Sequence, residues 1–280
     1  MTAPEYVTCG DWKISYTRHG DGPVLILLHG GSPGASGSNN FSHNIEPLAR
    51  HFTTYLIDFP GWGASSKNLL PAGQWGNPLE AGGRVVTGVM EELGIQKAHL
   101  MGSSFGGSSA LHAAMSAPEK IERLVLMAPG GGIPAQPTPL PALGKLFGYY
   151  AGEGPSQAKF AELAKHLVYN KSLITQEWLR ARYEASLDEK VIANPPLRLP
   201  PGFVPQPSQA LCNDARLGQM RAPALFIWGQ DDEVQPVTCL SSFGAIPQQD
   251  AVVLGRCGHL PYCEQADKVN EQVIWFLSRM

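Results

Sequence analysis

The sequence is poor in charge: only 16% of its 280 residues are Asp, Glu, Lys or Arg, and the formal net charge is −3. No run of Lys or Arg interrupts it, so it offers nothing to a phosphate backbone or an anionic membrane surface, and neither nucleic acid nor membrane is expected as a partner. It lacks any apolar stretch near the roughly 20 residues that cross a bilayer. Met1 to Trp12 carries Glu5 and Asp11 and has no basic segment leading into an apolar one, so no secretory leader is read there. A soluble, cytoplasmic protein is the expectation. Cysteine is scarce as well. The five present, Cys9, Cys212, Cys239, Cys257 and Cys263, are an odd number without a C-x-x-C pair, which suits free thiols in a reducing compartment. Cys257 and Cys263 flank His259, but the four ligands of a structural zinc site are not there, so no metal is expected.

Apolar residues make up 43% of the chain, enough to bury the core of one large α/β domain with an insertion. Short apolar runs recur at Val24–Leu28, Thr54–Ile57, Lys97–Met101, Leu124–Met127, Ala224–Trp228 and Ala251–Leu254. Continuous runs of this length read as strands covered on both faces, hence a mostly parallel central sheet flanked by helices. Between Ile133 and about Ala215 this alternation stops. Proline clusters, Pro134 to Pro141 and Pro195 to Pro207, bracket the segment, and its middle is helical. Phe160, Leu163, Leu167 and Val168 follow one helical face, as do Trp178, Leu179, Arg182 and Ser186. The segment 133–215 reads as a helical cap, or lid, inserted into a core made of 1–132 and 216–280.

The strongest chemical motif is Gly102-Ser103-Ser104-Phe105-Gly106-Gly107, between a strand and an Ala-rich helical run. A serine at a sharp strand-to-helix turn needs small neighbours two positions away on each side, and Gly102 and Gly106 supply them. A serine hydroxyl is a weak nucleophile without a base, and the base needs an orienting carboxylate. Asp231 and Asp232 follow the strand Ala224–Trp228, and His259 follows the strand Ala251–Leu254, so an acid and a base come after the serine in the expected order. Among the seven other histidines His29 is the best rival, although its place after the first strong strand suits a loop-bracing role. His29-Gly30-Gly31-Ser32-Pro33-Gly34 is a flexible loop whose amides can face a developing oxyanion. The expected donors are Gly31 and Phe105. A phosphate-binding loop is a weak alternative, since the G-K-[ST] ending and the G-x-G-x-x-G frame are both missing. Arg182 lies on an apolar stripe and calls for an anion. From the residues alone, a structural salt bridge is favoured over a binding role.

With these motifs in place the chain resembles the meta-cleavage product hydrolases, carbon–carbon bond hydrolases of bacterial aromatic degradation with the α/β-hydrolase fold. The residues that carry the resemblance are His29 to Ala35 with Asn40-Phe41, Asp58 to Ser65, Leu126 to Gly131, Cys257-Gly258-His259, and Val168 to Thr175 in the cap. The resemblance implies Asp232 as the triad acid beside Ser104 and His259, and Gly31 and Phe105 as the oxyanion hole. It places Gly30, Asn40, Ser103, Arg182 and Leu260 against the substrate, with Asn40 and Arg182 at a dienoate's carboxylate end, and so favours a binding role for Arg182. Ser103 stands where the family usually has Asn, and Leu260 where it usually has Trp. The implied activity is hydrolysis of a 2-hydroxy-6-oxo-dienoate-type ring-fission product without metal or organic cofactor, in a homo-oligomer. A carboxylesterase or lactonase on the same triad is the first rival, drawn from Ser103 and Leu260. A non-catalytic ligand-binding protein is the second, and the intact triad argues against it.

Overall fold

The computed structural model describes residues 3–67, 77–197 and 210–279. Its centre is an eight-stranded sheet in the order β1-β2-β4-β3-β5-β6-β7-β8. The strands are β1 (Glu5–Cys9), β2 (Trp12–His19), β3 (Val24–Leu28), β4 (Thr53–Ile57), β5 (Ala98–Ser103), β6 (Ile121–Met127), β7 (Ala224–Gly229) and β8 (Gln249–Leu254). The strands from β3 onward run parallel, while β1 pairs with β2 and β2 with β4 in antiparallel fashion.

Two short helices, α1 (Gly37–Asn40) and α2 (Ile45–Ala49), precede β4. The period-2 geometry of a strand sends alternate side chains to opposite faces, and the sequence is apolar at both. Ile26, Leu28, Leu100, Phe226 and Trp228 pack on one side with Val85, Val86 and Val89 of α3 (Pro78–Glu92) and Leu111 of α4 (Phe105–Ser116). Leu25, Leu27, Met101, Leu225 and Ile227 pack on the other with Val273 and Phe276 of the C-terminal helix Ala266–Leu277. Each fully buried side chain of this kind contributes roughly 1.5–3 kcal/mol, so the central strands have no tolerance for a polar face. The expectation of full burial fails at Ala251–Leu254: β8 is an edge strand on which Asp250, Ala251 and Val253 are exposed. The hairpin of β1 and β2 was not among the expected strands, because its Thr, Lys, Arg and Glu residues hide the apolar alternation.

Among the described residues, four α-helices lie between β6 and β7: α5 (Pro141–Phe147), α6 (Gln157–Leu167), α7 (Gln176–Glu184) and α8 (Glu189–Ala193). Ser156, Thr175 and Asp188 cap α6, α7 and α8 by accepting N–H bonds from the first turn. Phe160, Leu163 and Leu167 are buried along α6 as the stripe requires, whereas Val168 is buried in extended backbone beyond the helix end. Most of the second proline cluster lies in 198–209, outside the described residues.

Candidate active site

In a parallel sheet the strand ends align, so loops from different strands meet at one rim. Leu28 stands beside Gly102, Met127 beside Ile227, and Gly229 beside Leu254, which brings the loops after β3, β5, β7 and β8 to the same edge. Ser104 follows β5 directly and has φ 52° and ψ −115°, a left-handed conformation costly for a side-chain-bearing residue. The turn closes because its flanks are glycines. A Cβ on Gly102 would lie 2.4 Å from the Gly106 carbonyl oxygen, and one on Gly106 would lie 2.1 Å from that of Leu28.

The acid and base loops are pressed together in the same way, since a Cβ on Gly229 would lie 2.0 Å from the Gly258 carbonyl oxygen. Asp232 is buried. Its Oδ2 accepts the His259 Nδ1–H at 2.8 Å, and its Oδ1 accepts the backbone N–H of Val234 at 2.8 Å and Gln235 at 2.9 Å. Asp231 is exposed. The imidazole of His259 is therefore held by one nitrogen, and the backbone N–H of His259 donates to the Leu167 carbonyl at 2.9 Å. Ser104 and His259 line one cavity with Gly30, Gly31, Ser32, Ser103 and Leu260. Leu146, Leu163, Leu167, Val234 and Tyr262 complete its apolar wall.

Phe105 begins α4, where helix geometry leaves its N–H without an intrahelical acceptor. Gly30 sits close to both Ser104 and Asn40: a Cβ there would lie 3.6 Å from the Ser104 Cβ and 3.8 Å from the Asn40 Nδ2. His29 is fully buried beneath this loop. It accepts the Phe59 N–H at Nε2 (3.0 Å) and donates Nδ1–H to the Gly30 carbonyl (2.8 Å). Burial lowers its pKa to about 4, so it braces the loop as a neutral ring.

Arg182, on α7, is buried and reaches the loop after β3 from behind. Its Nε donates to the Pro33 carbonyl at 3.1 Å, one terminal nitrogen to Asn39 Oδ1 and Asn40 Oδ1 at 3.1 Å each, and the other to Ser32 Oγ. The expected structural salt bridge is absent: among the described residues no carboxylate pairs with it. Hydrogen bonds to a charged donor are worth roughly 1.5–3 kcal/mol each, against a desolvation cost of several kcal/mol for a buried cation. Four such bonds hold the guanidinium in place without neutralising it. Burial lowers its pKa, and the Tyr262, Tyr150 and Tyr149 hydroxyl groups around it act in the opposite sense.

Of the residues singled out in the sequence, Gly30, Gly31, Ser103, Ser104, His259 and Leu260 share the cavity, and Asp232 stands directly behind His259. Asn40 and Arg182 are bonded to each other and do not line the cavity, although Ser32, bonded to Arg182, does. Sequence reasoning missed Ser32 and Asn39 as partners of Arg182, and Val234 and Tyr262 as wall residues. The first pair sits in or next to a loop already recognised. Nothing local marks the direction in which the second pair points.

An alpha/beta hydrolase fold family model matches residues 23–266. The 2-hydroxy-6-oxononadienedioate/2-hydroxy-6-oxononatrienedioate hydrolase of Burkholderia vietnamiensis is 35% identical over 270 residues, covering 95% of this chain and 91% of that one. The 2-hydroxy-6-oxo-6-phenylhexa-2,4-dienoate hydrolase of Comamonas testosteroni is 34% identical, covering 95% and 92%. Among solved structures, a meta-cleavage product hydrolase from Pseudomonas fluorescens IP01 complexed with acetates superposes with a TM-score of 0.80 at 28% identity, covering 98% and 97%. With the family model, the relatives and the strand-end site all in agreement, the chain belongs to the meta-cleavage product hydrolases, enzymes of the alpha/beta hydrolase fold.

Proposed function

We propose that this hydrolase cleaves a carbon–carbon bond in a 2-hydroxy-6-oxo-dienoate-type ring-fission product of aromatic degradation. Ser104 is the nucleophile, His259 the base and Asp232 the carboxylate that holds the imidazole. The substrate's dienol ketonises, which gives the departing carbon an electron sink. Ser104 Oγ then adds to the 6-keto carbon as His259 takes its proton, and the Gly31 and Phe105 amides receive the oxyanion. Collapse breaks the carbon–carbon bond, the departing carbon is protonated from His259, and water, activated by the same base, releases the acyl group from Ser104.

The observation that carries this reading is the un-neutralised cation at the back of the oxyanion loop. Arg182 is buried, bonded among the described residues only to neutral oxygens, and joined to the cavity through Ser32, one of its lining residues. A substrate carboxylate in the cavity is the anion that such a site lacks, and Ser32, which lines the cavity and is bonded to the guanidinium, couples the two. Gly30, Ser103 and Leu260 line the rest of the substrate path. In this reading 133–215 is a cap over a core of 1–132 and 216–280, and the substrate is bound where the two meet. The protein works as a cytoplasmic homo-oligomer. Among the described residues no helix is long and apolar enough to cross a membrane.

A carboxylesterase or lactonase on the same triad is the second reading. It is favoured by the buried Ser103 Oγ, which has no hydrogen-bond partner among the described residues, and by the smaller Leu260 after the base. A panel of ring-fission dienoates and neutral aryl esters decides between them. The carbon–carbon reading expects the higher kcat/KM on dienoates, and turnover of esters alone overturns it.

A further inference from the structure

Glu264 ends the short helix Pro261–Glu264, five residues after the base and outside the cavity wall. Its carboxylate is half-buried and spans two chain segments. Oε1 accepts the backbone N–H of Gly258 at 2.7 Å, and Oε2 accepts the backbone N–H groups of Tyr169 and Asn170 at 2.7 and 2.9 Å. The Cys257 Sγ also lies 3.9 Å from Oε1. Gly258 and Cys257 immediately precede His259, and Tyr169 and Asn170 follow α6 in the helical insertion. The contact is closed from the other side by the His259 N–H bond to Leu167. The segments run so near each other that a Cβ on Gly258 would lie 2.8 Å from the Tyr169 nitrogen and 3.0 Å from the Leu167 carbonyl oxygen.

A half-buried carboxylate is costly unless its oxygens are satisfied. Burial pushes the Glu264 carboxyl up, and the backbone N–H groups of Asn170, Gly258 and Tyr169 pull it back. No cationic side chain is bonded to it among the described residues, so its bonds are spent on backbone that leads to the base. Asp232 fixes the ring of His259 but not the backbone that carries it. Three groups hold that backbone: the Leu167 carbonyl at His259, the Glu264 carboxylate at Gly258, and the Asp231 N–H, which donates to the Cys257 carbonyl at 2.9 Å. Of these only Glu264 acts through a side chain.

We propose that Glu264 is a positioning residue for His259, fastening the backbone before the base to the Tyr169–Asn170 segment so that the imidazole meets Ser104 in one geometry. This rests on the reading of Ser104, Asp232 and His259 as a triad, but not on the identity of the substrate. Misplacing a catalytic group by an ångström costs as much as about a hundredfold in rate, and a loosened loop costs part of that.

The test is the second-order rate of Ser104 labelling by a fluorophosphonate, which needs His259 to take the serine proton, corrected for the folded fraction. Glu264→Gln keeps one acceptor oxygen and turns an NH2 toward N–H groups, so labelling should slow by about tenfold or more. The pH profile of labelling should change with it. Glu264→Asp keeps the charge and shortens the arm, and should fall between Gln and wild type. Labelling of the folded Gln variant at the wild-type rate, or losses in both variants that match the lost folded fraction, would overturn the proposal. His259→Ala separates the two ideas: if it labels normally at Ser104, the triad itself is misassigned.

Discussion

Asp232 and His259 meet at 2.8 Å, carboxylate Oδ2 to imidazole Nδ1, while Asp231, adjacent in the chain, is exposed. The remaining Asp232 oxygen is occupied by two backbone N–H groups, so the carboxylate cannot rotate without breaking them. Asp232→Asn presents an amide to the ring, favours the wrong tautomer, and should lower kcat by roughly three to four orders of magnitude. Asp231→Asn should leave kcat within about twofold, as expected of a surface change. Steady-state kinetics of the two variants check this, and equal losses would assign the wrong carboxylate.

Ser104→Ala should reduce turnover by several orders of magnitude and leave substrate binding largely in place, because the Gly31 and Phe105 amides and the pocket remain. The left-handed backbone at Ser104 comes from the turn and not from its hydroxyl, so the variant should fold. Mass spectrometry after fluorophosphonate treatment should find the label on Ser104 in the wild type and none at that position in the variant. Stoichiometric labelling at another serine would show that the nucleophile lies elsewhere.

Removing the guanidinium separates the two proposed reactions. Arg182→Gln should cost about 2 kcal/mol or more in transition-state stabilisation on a dienoate if a buried ion pair is lost. A neutral aryl ester offers no carboxylate and should lose far less. Arg182→Lys keeps the charge but not the planar fork that reaches Pro33, Asn39, Asn40 and Ser32, and should restore only part of the loss. The measured quantity is the ratio of kcat/KM on the two substrates. A ratio unchanged in both variants makes Arg182 a strut of the loop.

His29 makes the stability of the site loop depend on pH. An unfolded histidine takes up its proton near the ordinary value of 6.5, whereas the buried ring does so only near about 4. Between these values the unfolded state binds more protons. The stability from keeping His29 neutral is therefore full above pH 6.5 and lost as pH falls toward 4, about 3 kcal/mol in all. Urea unfolding at pH 7.0 and 4.5 should show a larger drop for wild type than for His29→Gln, which can keep both hydrogen bonds without titrating. Equal drops would show that another group carries the acid sensitivity.

The local sequence determined whatever depends on short-range sterics and strand period. The apolar runs fixed the central strands because both faces of a parallel sheet must be covered, and only the edge strand β8 and the polar hairpin β1–β2 escaped that rule. Gly102 and Gly106 announced the turn at Ser104 because no larger residue fits there. Placement across the chain was decided by the tertiary structure. The resemblance pointed to Asp232 rather than Asp231, but the packing of the Gly258 loop on Gly229 that brings it to His259 belongs to the tertiary structure, and nothing near Arg182 states that its partners lie some 140–150 residues away in or just after the loop that follows β3. The same holds for Glu264, whose bonds reach back 94 and 95 residues to Asn170 and Tyr169. The Glu264 bonds go to backbone amides, which nearly every residue carries, so no pattern of residue types records them, and the side-chain partners of Arg182 are too far along the chain for any local pattern to join them. Both sets of bonds exist only once packing has brought the segments within hydrogen-bonding distance.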